Sequence, residues 1–317
     1  MTKKQLLTVL FLSITFVGYA QTDTLRTDTT YWQKSFNGGI NFNQASFSSN
    51  WAGGGVNSIS LGGLINGRAL YQKEKWSWDN VADLQLGFVK QQNIGVRKAA
   101  DQLYLNSVAG YKIANHLDLF MSGTFNSFFA AGYKYGERDS NNDGTKDSDL
   151  FVSRFFSPAF LTFAWGLAYK PVDWFSLRVS PFAPRFTFVT DDAVRYRETV
   201  AGSGVFVQDP TAVAYGVAAG KTVRTEWLAF QLQSELNKDI APNVNLKVRY
   251  QMFLNYETFD PDHRLDISLT AKINRFFSST FGLTSIYDSD ISGDIQVQQV
   301  LGIGFLYNVT TFKETKK

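Results

Sequence analysis

Apolar and polar side chains alternate with period two along nearly all of this chain, and that alternation limits what it can fold into. Val244 to Glu257 shows it best. Val244, Leu246, Val248, Tyr250, Met252, Leu254 and Tyr256 fall on one parity, and Asn245, Lys247, Arg249, Gln251, Phe253, Asn255 and Glu257 on the other. A helix would scatter the charges among the apolar residues, whereas a strand sorts them, because successive side chains point to opposite faces. The same sorting recurs at Trp76–Phe88, Leu103–Ile113, Leu161–Tyr169, Leu265–Ile273 and Ile295–Tyr307. Twelve segments follow the rule, near 36–47, 56–72, 76–91, 101–113, 116–134, 155–170, 174–190, 221–237, 243–257, 264–274, 276–288 and 294–309. The seventh changes phase between Pro181 and Pro184, which predicts a β-bulge there.

A soluble sandwich and a membrane barrel both use amphipathic strands, and three features select the barrel. Many segments exceed the five or six residues usual for soluble strands, and suit a tilted strand crossing a bilayer. Trp76, Trp78, Trp174, Tyr71, Tyr111 and Tyr169 gather beside short turns, as an interfacial aromatic girdle does. The connections after the second, fourth, sixth, eighth and tenth segments are all short, whereas those after the third, fifth and seventh are longer, with long loops at 135–154 and 191–220. Outer-membrane barrels show this asymmetry between periplasmic turns and external loops. The expectation is therefore an all-β fold: a transmembrane, antiparallel, up-and-down β-barrel of about 12 strands over 36–309. Both termini would be periplasmic and the barrel integral to the outer membrane of a Gram-negative cell.

Composition agrees once the alternation is known. Aromatic residues make up 15% (28 Phe, 14 Tyr, 7 Trp), yet mean hydropathy is −0.16. There is no Cys and there are two His. That excludes disulfides, thiolate metal sites, a cysteine nucleophile and a lipid anchor on a leading cysteine. A net charge of +3 carries no signal for nucleic acid. Met1–Ala20 reads as a signal peptide: Lys3 and Lys4, an apolar core at Leu6–Val17, then small residues at Gly18 and Ala20. Residues 21–35 read as a flexible periplasmic leader and 310–317 as a short periplasmic tail.

Several phrases carry a family resemblance: Trp32 with Asn41–Phe47, Asn50–Gly54, Tyr169-Lys170-Pro171, Ser180-Pro181, Arg185–Val189, Val223–Glu226, Lys272–Asn274 and Ile286–Asp290. With these the chain resembles a domain-of-unknown-function family of outer-membrane barrels from Bacteroidota. The resemblance implies fold and location over nearly the whole mature chain, and supplies no catalytic set.

Four sets of residues are candidates for function. Asp139, Asn141, Asp143, Thr145 and Asp147, with Gly144 at the turn, follow the opening of a calcium loop, but Leu150 stands where a bidentate Glu belongs. Ca2+ is the only cofactor the sequence suggests. The predicted lumen carries Arg68, Asp79, Asp83, Lys112, Asp118, Glu235, Lys247, Arg249, Glu257, Asp266 and Lys272, partly filled by Tyr104, Trp227 and Phe253. Trp51, in a Gly-rich loop, is a candidate contact for an envelope protein partner. Loop 191–220, with Arg195, Arg197 and Glu198, is either a lid over the barrel mouth or mobile. For catalysis, His116 falls at a turn and His263 in a loop, neither beside a nucleophile, and an Asp79–Asp83 acid pair is better read as structural. The readings that remain are a narrow diffusion channel for small polar solutes and a scaffold subunit of an outer-membrane complex; a hydrolase is the least supported. The partners would be outer-membrane lipid and an envelope protein.

Overall fold

The computed structural model describes residues 31–46, 57–92, 94–141, 143–274, 277–290 and 292–310. The segment read as a signal peptide, most of the one read as a leader, the C-terminal residues from 311 and the loop holding Trp51 lie outside them.

In chain order the strands are β1 (Trp32–Ala45), β2 (Ser58–Lys73), β3 (Trp76–Gln91), β4 (Gly95–Ala114), β5 (Leu117–Ser127), β6 (Gly132–Arg138), β7 (Ser148–Ser153), β8 (Ala159–Val172) and β9 (Phe175–Phe182). They continue as β10 (Arg185–Phe188), β11 (Tyr196–Glu198), β12 (Phe206–Gln208), β13 (Val223–Glu226), β14 (Ala229–Ala241), β15 (Val244–Asn255), β16 (Pro261–Lys272), β17 (Phe277–Asp288) and β18 (Ser292–Thr310). Twelve of them close a ring: β1–β5, β8, β9 and β14–β18, each antiparallel to its neighbours, with β1 pairing β18 and β8 pairing β9. The chain folds as a transmembrane, up-and-down β-barrel. Closure leaves no strand edge in the hydrocarbon, where an unpaired backbone group costs several kcal/mol.

The ring is inside-out relative to a soluble domain. Leu119, Met121, Trp165, Leu167, Ile303 and Phe305 face outward and are exposed, while Arg178, Gln233 and Arg249 are buried inward. A patch of this size on a soluble monomer would drive association. Around a barrel it is the lipid-facing band. At the short-turn end Trp32 packs on Tyr71 and Trp78, Trp76 on Tyr111, and the Lys238 ammonium lies 4.2 Å over Trp174. Turns of two residues join β2–β3, β4–β5, β8–β9 and β14–β15 at this end. Trp32 of β1 and Thr310 of β18 lie at the same end.

The structure differs from the sequence expectation at several points. β1 begins at Trp32, inside the stretch assigned to the leader, because Trp32 pairs with Tyr71. β4 begins at Gly95, so the loop after the third strand has only residues 92–94. Long loops at the opposite end are therefore confined to some of the connections. The fifth segment stops at Ser127, and its remainder leaves the ring. Loops 135–154 and 191–220 contain short strands: β6, β7, β11 and β12 form a four-stranded sheet outside the ring. Three to seven alternating residues cannot span a bilayer but can pair locally, and so left no long-range period to read.

The predicted bulge is present, slightly earlier than expected. Between Leu167 and Trp165 the register shifts by one residue, placing Ser180 and Pro181 opposite Gly166. Proline suits a bulge, where no ladder bond is required of it. A Cβ on Gly166 would stand 2.0 Å from the Val179 carbonyl oxygen, so the bulge needs glycine on its partner strand.

Candidate functional site

The lumen is where charge concentrates. Asp83 of β3 accepts from three donors: Arg249 Nη2 at 3.0 Å, Lys247 Nζ at 3.3 Å and Asn66 Nδ2 at 3.1 Å. β3 and β15 stand six strands apart whichever way the ring is counted, so Lys247 and Arg249 reach straight across the barrel. The Arg249 guanidinium also lies 4.0 Å from the centre of the Tyr104 ring, whose residue is the register partner of Asp83. The bridge is thus held by charge, by hydrogen bonding and by a cation–π contact in a desolvated setting. Two other pairs close locally: Arg68 grips Asp79 through two bonds of 2.9 and 2.8 Å, and Arg264 grips Asp266 at 2.8 and 3.0 Å.

The two sides of this bridge differ. Toward β4, β5, β8 and β9 the lumen is packed. β8 presents Thr162, Ala164, Gly166 and Ala168 inward, and these small residues make room for Phe120 and for Arg178, which lies 5.8 Å from the Phe120 ring. Toward β1–β3 and β14–β18 a cavity of about 1240 Å³ runs lengthwise, reaching Asp101, Asn126 and Phe160 of β4, β5 and β8 near the cap. It extends from Ala241–Asn243 at the short-turn end, past Asp83, Lys247 and Arg249, to Val152, Ser153 and Tyr215 at the other.

Those last residues belong to the outer sheet and its loops, which lie over the mouth as an ordered cap. Arg195, fully buried, holds it. Its guanidinium donates to the carbonyls of Ala212 (2.9 Å), Val217 (2.8 Å) and Lys221 (2.7 Å) and to Asp192 (2.6 Å). Val189, Val194 and Val217 pack beside it, and the Tyr215 hydroxyl donates to Val152 at 2.6 Å. Burial raises the Tyr215 pKa, so it stays a donor at all ordinary pH.

Of the residues singled out from sequence, Arg68, Asp83, Glu235, Lys247, Arg249, Asp266 and Lys272 line the cavity, with Asp79 bound to Arg68. Lys112 and Asp118 lie at the short-turn end, where Asp118 pairs with Lys170 at 2.8 Å. Glu257 lies beyond the end of β15, in an exposed turn, and does not face the lumen. Trp227 points outward, 61% exposed, with its ring on Phe186; the interruption between β13 and β14 takes it out of the lumen parity. His263 is in β16, not a loop, hydrogen-bonded to the Tyr250 hydroxyl at 2.8 Å. Arg178, Arg264, Arg185 and Gln233 were missed. All four follow from parity alone; Arg178, for example, alternates with Leu177 and Val179.

Three phrases that carry the family resemblance meet in space at the cap end. Arg185 pairs with Asp262, Arg224 with Glu226 (3.2 Å) and Asp290, and Asn255 donates to Glu226 at 3.0 Å.

In the loop from Asp139, the carboxylates are turned to the loop's own donors. Asp139 accepts from the backbone of Asn141, Asp143 and Gly144, Asp143 from Thr145, and Asp147 from Ser140. These bonds hold the Asp143 and Asp147 carboxyls below the usual carboxylate range. Among the described residues no group of three or more His, Cys, Asp or Glu is arranged to hold a metal.

The class defined by these features is a transmembrane barrel with a charged, partly filled lumen and a small cap. Residues 42–133, under a third of the chain, match the sequence model of a family described as "Protein of unknown function (DUF3078)". A search of curated proteins finds no match. Among solved structures, the chain is similar to the COG4313 outer membrane channel from Pseudomonas putida F1: 8% identity, 93% of this chain and 99% of that one, TM-score 0.37. The NanC porin shares 6% identity over 89% and 100%, with a TM-score of 0.29. The NalP autotransporter translocator domain from Neisseria meningitidis shares 9% over 86% and 87%, with a TM-score of 0.32.

Proposed function

We propose that this chain is a non-enzymatic barrel of the Gram-negative outer membrane that passes small polar solutes through a narrow lumen. In this reading the short turns and both strand termini face the periplasm, and the cap faces outward. The observation that carries it is the lengthwise cavity lined by polar side chains, which reaches from the short turns to the underside of the cap. The lumen carboxylates Asp79 and Asp83 are each held by cations, which suits structural and electrostatic roles better than proton transfer. Planar-bilayer recording of the purified protein is the test. Steady, salt-dependent conductance supports the channel.

The cross-lumen bridge favours a second reading, a scaffold subunit whose lumen stays shut. A silent barrel that co-purifies stoichiometrically with an envelope protein supports that reading and overturns the first.

A further inference from the structure

The middle of the lumen contains more buried donors than it satisfies. Tyr104, Arg178, Gln233 and Arg249 are 1, 7, 3 and 3% exposed. Among the described residues, the Tyr104 hydroxyl, Arg178 Nε, Gln233 Nε2 and Arg249 Nε find no hydrogen-bond partner. They belong to one neighbourhood. Arg178 and Gln233 are register partners on β9 and β14, Arg249 stacks on Tyr104, and Tyr104 feels the charges of both arginines. A buried polar group left unpaired costs about 1–3 kcal/mol, and four together are a demand for acceptors.

Charge points the same way. With Arg68–Asp79 and Arg264–Asp266 closed as pairs, the described residues at this level keep the cations Arg178, Lys247 and Arg249 against Asp83 and Glu235. One positive charge is left without a counterion, in a setting where unbalanced charge is expensive. Of the four, Arg249 lines the open cavity, with Glu235 beside it, and Tyr104, Arg178 and Gln233 lie buried behind that wall, so Arg249 is the donor a solute meets first.

We infer that Tyr104, Arg178, Gln233 and Arg249 form a binding site for a small oxyanion, a carboxylate or phosphate monoanion, at mid-lumen. Guanidinium and amide N–H groups and a phenol supply donors, and the anion supplies the missing acceptors and charge. As the selectivity site of a channel the cluster rests on the transport reading; as a binding site it does not.

Two measurements on the full-length mature protein in detergent and in bilayers separate these. Thermal unfolding is followed with inorganic phosphate or sodium acetate against sodium chloride at equal ionic strength. The expected result is stabilisation by an oxyanion beyond chloride, with apparent affinity roughly ten-fold weaker for each donor removed in Tyr104→Phe and Gln233→Leu. Both variants keep the Arg249 stack and the ion pairs. In bilayers, acetate is expected to carry current in preference to its mobility relative to chloride, and Gln233→Leu to abolish that preference. Equal response to all three salts overturns the site, even in a conducting barrel. Oxyanion stabilisation in a silent barrel keeps the site and overturns the channel.

Discussion

The two sides of the lumen are built from the same alternating strands and behave differently. On the β4, β5, β8 and β9 side, inward residues pair small with large: Ala164 and Ala168 pack with Phe120, Arg178 lies over its ring, and most of the space is filled. On the β1–β2 and β16–β18 side the inward residues are short polar ones, among them Asn37, Asn66, Ser268 and Thr280, and a cavity remains. Twelve strands make a barrel intermediate between filled and open ones. Side-chain size on a few strands then decides where it is solid and where it is hollow. The Asp83–Arg249 bridge is the partition between the two.

Breaking the partition should have the largest effect. Arg249→Ala leaves Asp83 with Lys247 and Asn66 and Tyr104 without its stacked cation. It is expected to destabilise by about 3 kcal/mol and to raise conductance, since the side chain that crosses the lumen is gone; urea unfolding in detergent and bilayer recording check the two halves. Arg195→Met attacks the cap rather than the lumen. It orphans three carbonyls and should cost about 2 kcal/mol of local stability. Hydrogen exchange is expected to rise across 189–222 and not in β14–β18. Gly166→Ala tests the packed side, because its new Cβ meets the Val179 carbonyl: about 2 kcal/mol lost, again by unfolding. Gln296→Ala on the open side should stay within about 0.5 kcal/mol. Equal losses at Gly166 and Gln296 would erase the contrast.

The smallest effects belong to the loop from Asp139. The folded-state pKa values of Asp143 and Asp147 are depressed, so their contribution is present above the ordinary carboxylate range and is lost as pH falls through it. Exchange of the Ser140 and Thr145 amides, corrected for intrinsic rate, should therefore accelerate at acid pH and be unchanged from neutral to pH 8.

Much of the fold was legible in the sequence because period two is a local property. Val244 to Asn255 assigns its own inward and outward faces without knowing its neighbours, and the same holds for the other long strands. That parity also identifies lumen residues individually, Arg178 and Arg264 included. It fails where the period is interrupted. Trp227 sits between β13 and β14 and turns outward, and the strands of the cap are too short to show a period at all.

Alternation, together with strand length, the aromatic girdle and the short turns at one end, therefore determined that this chain is a barrel with a polar interior, since a strand cannot help sorting its side chains onto two faces. Which interior residues meet was decided only by closure of the ring. Asp83 and Arg249 are 166 residues apart and share no motif, and they touch because β3 and β15 fall on opposite walls of a barrel narrow enough for an arginine to cross. The hollow, the cap latched by Arg195 and the unpartnered donors at mid-lumen exist only once twelve strands have closed on themselves.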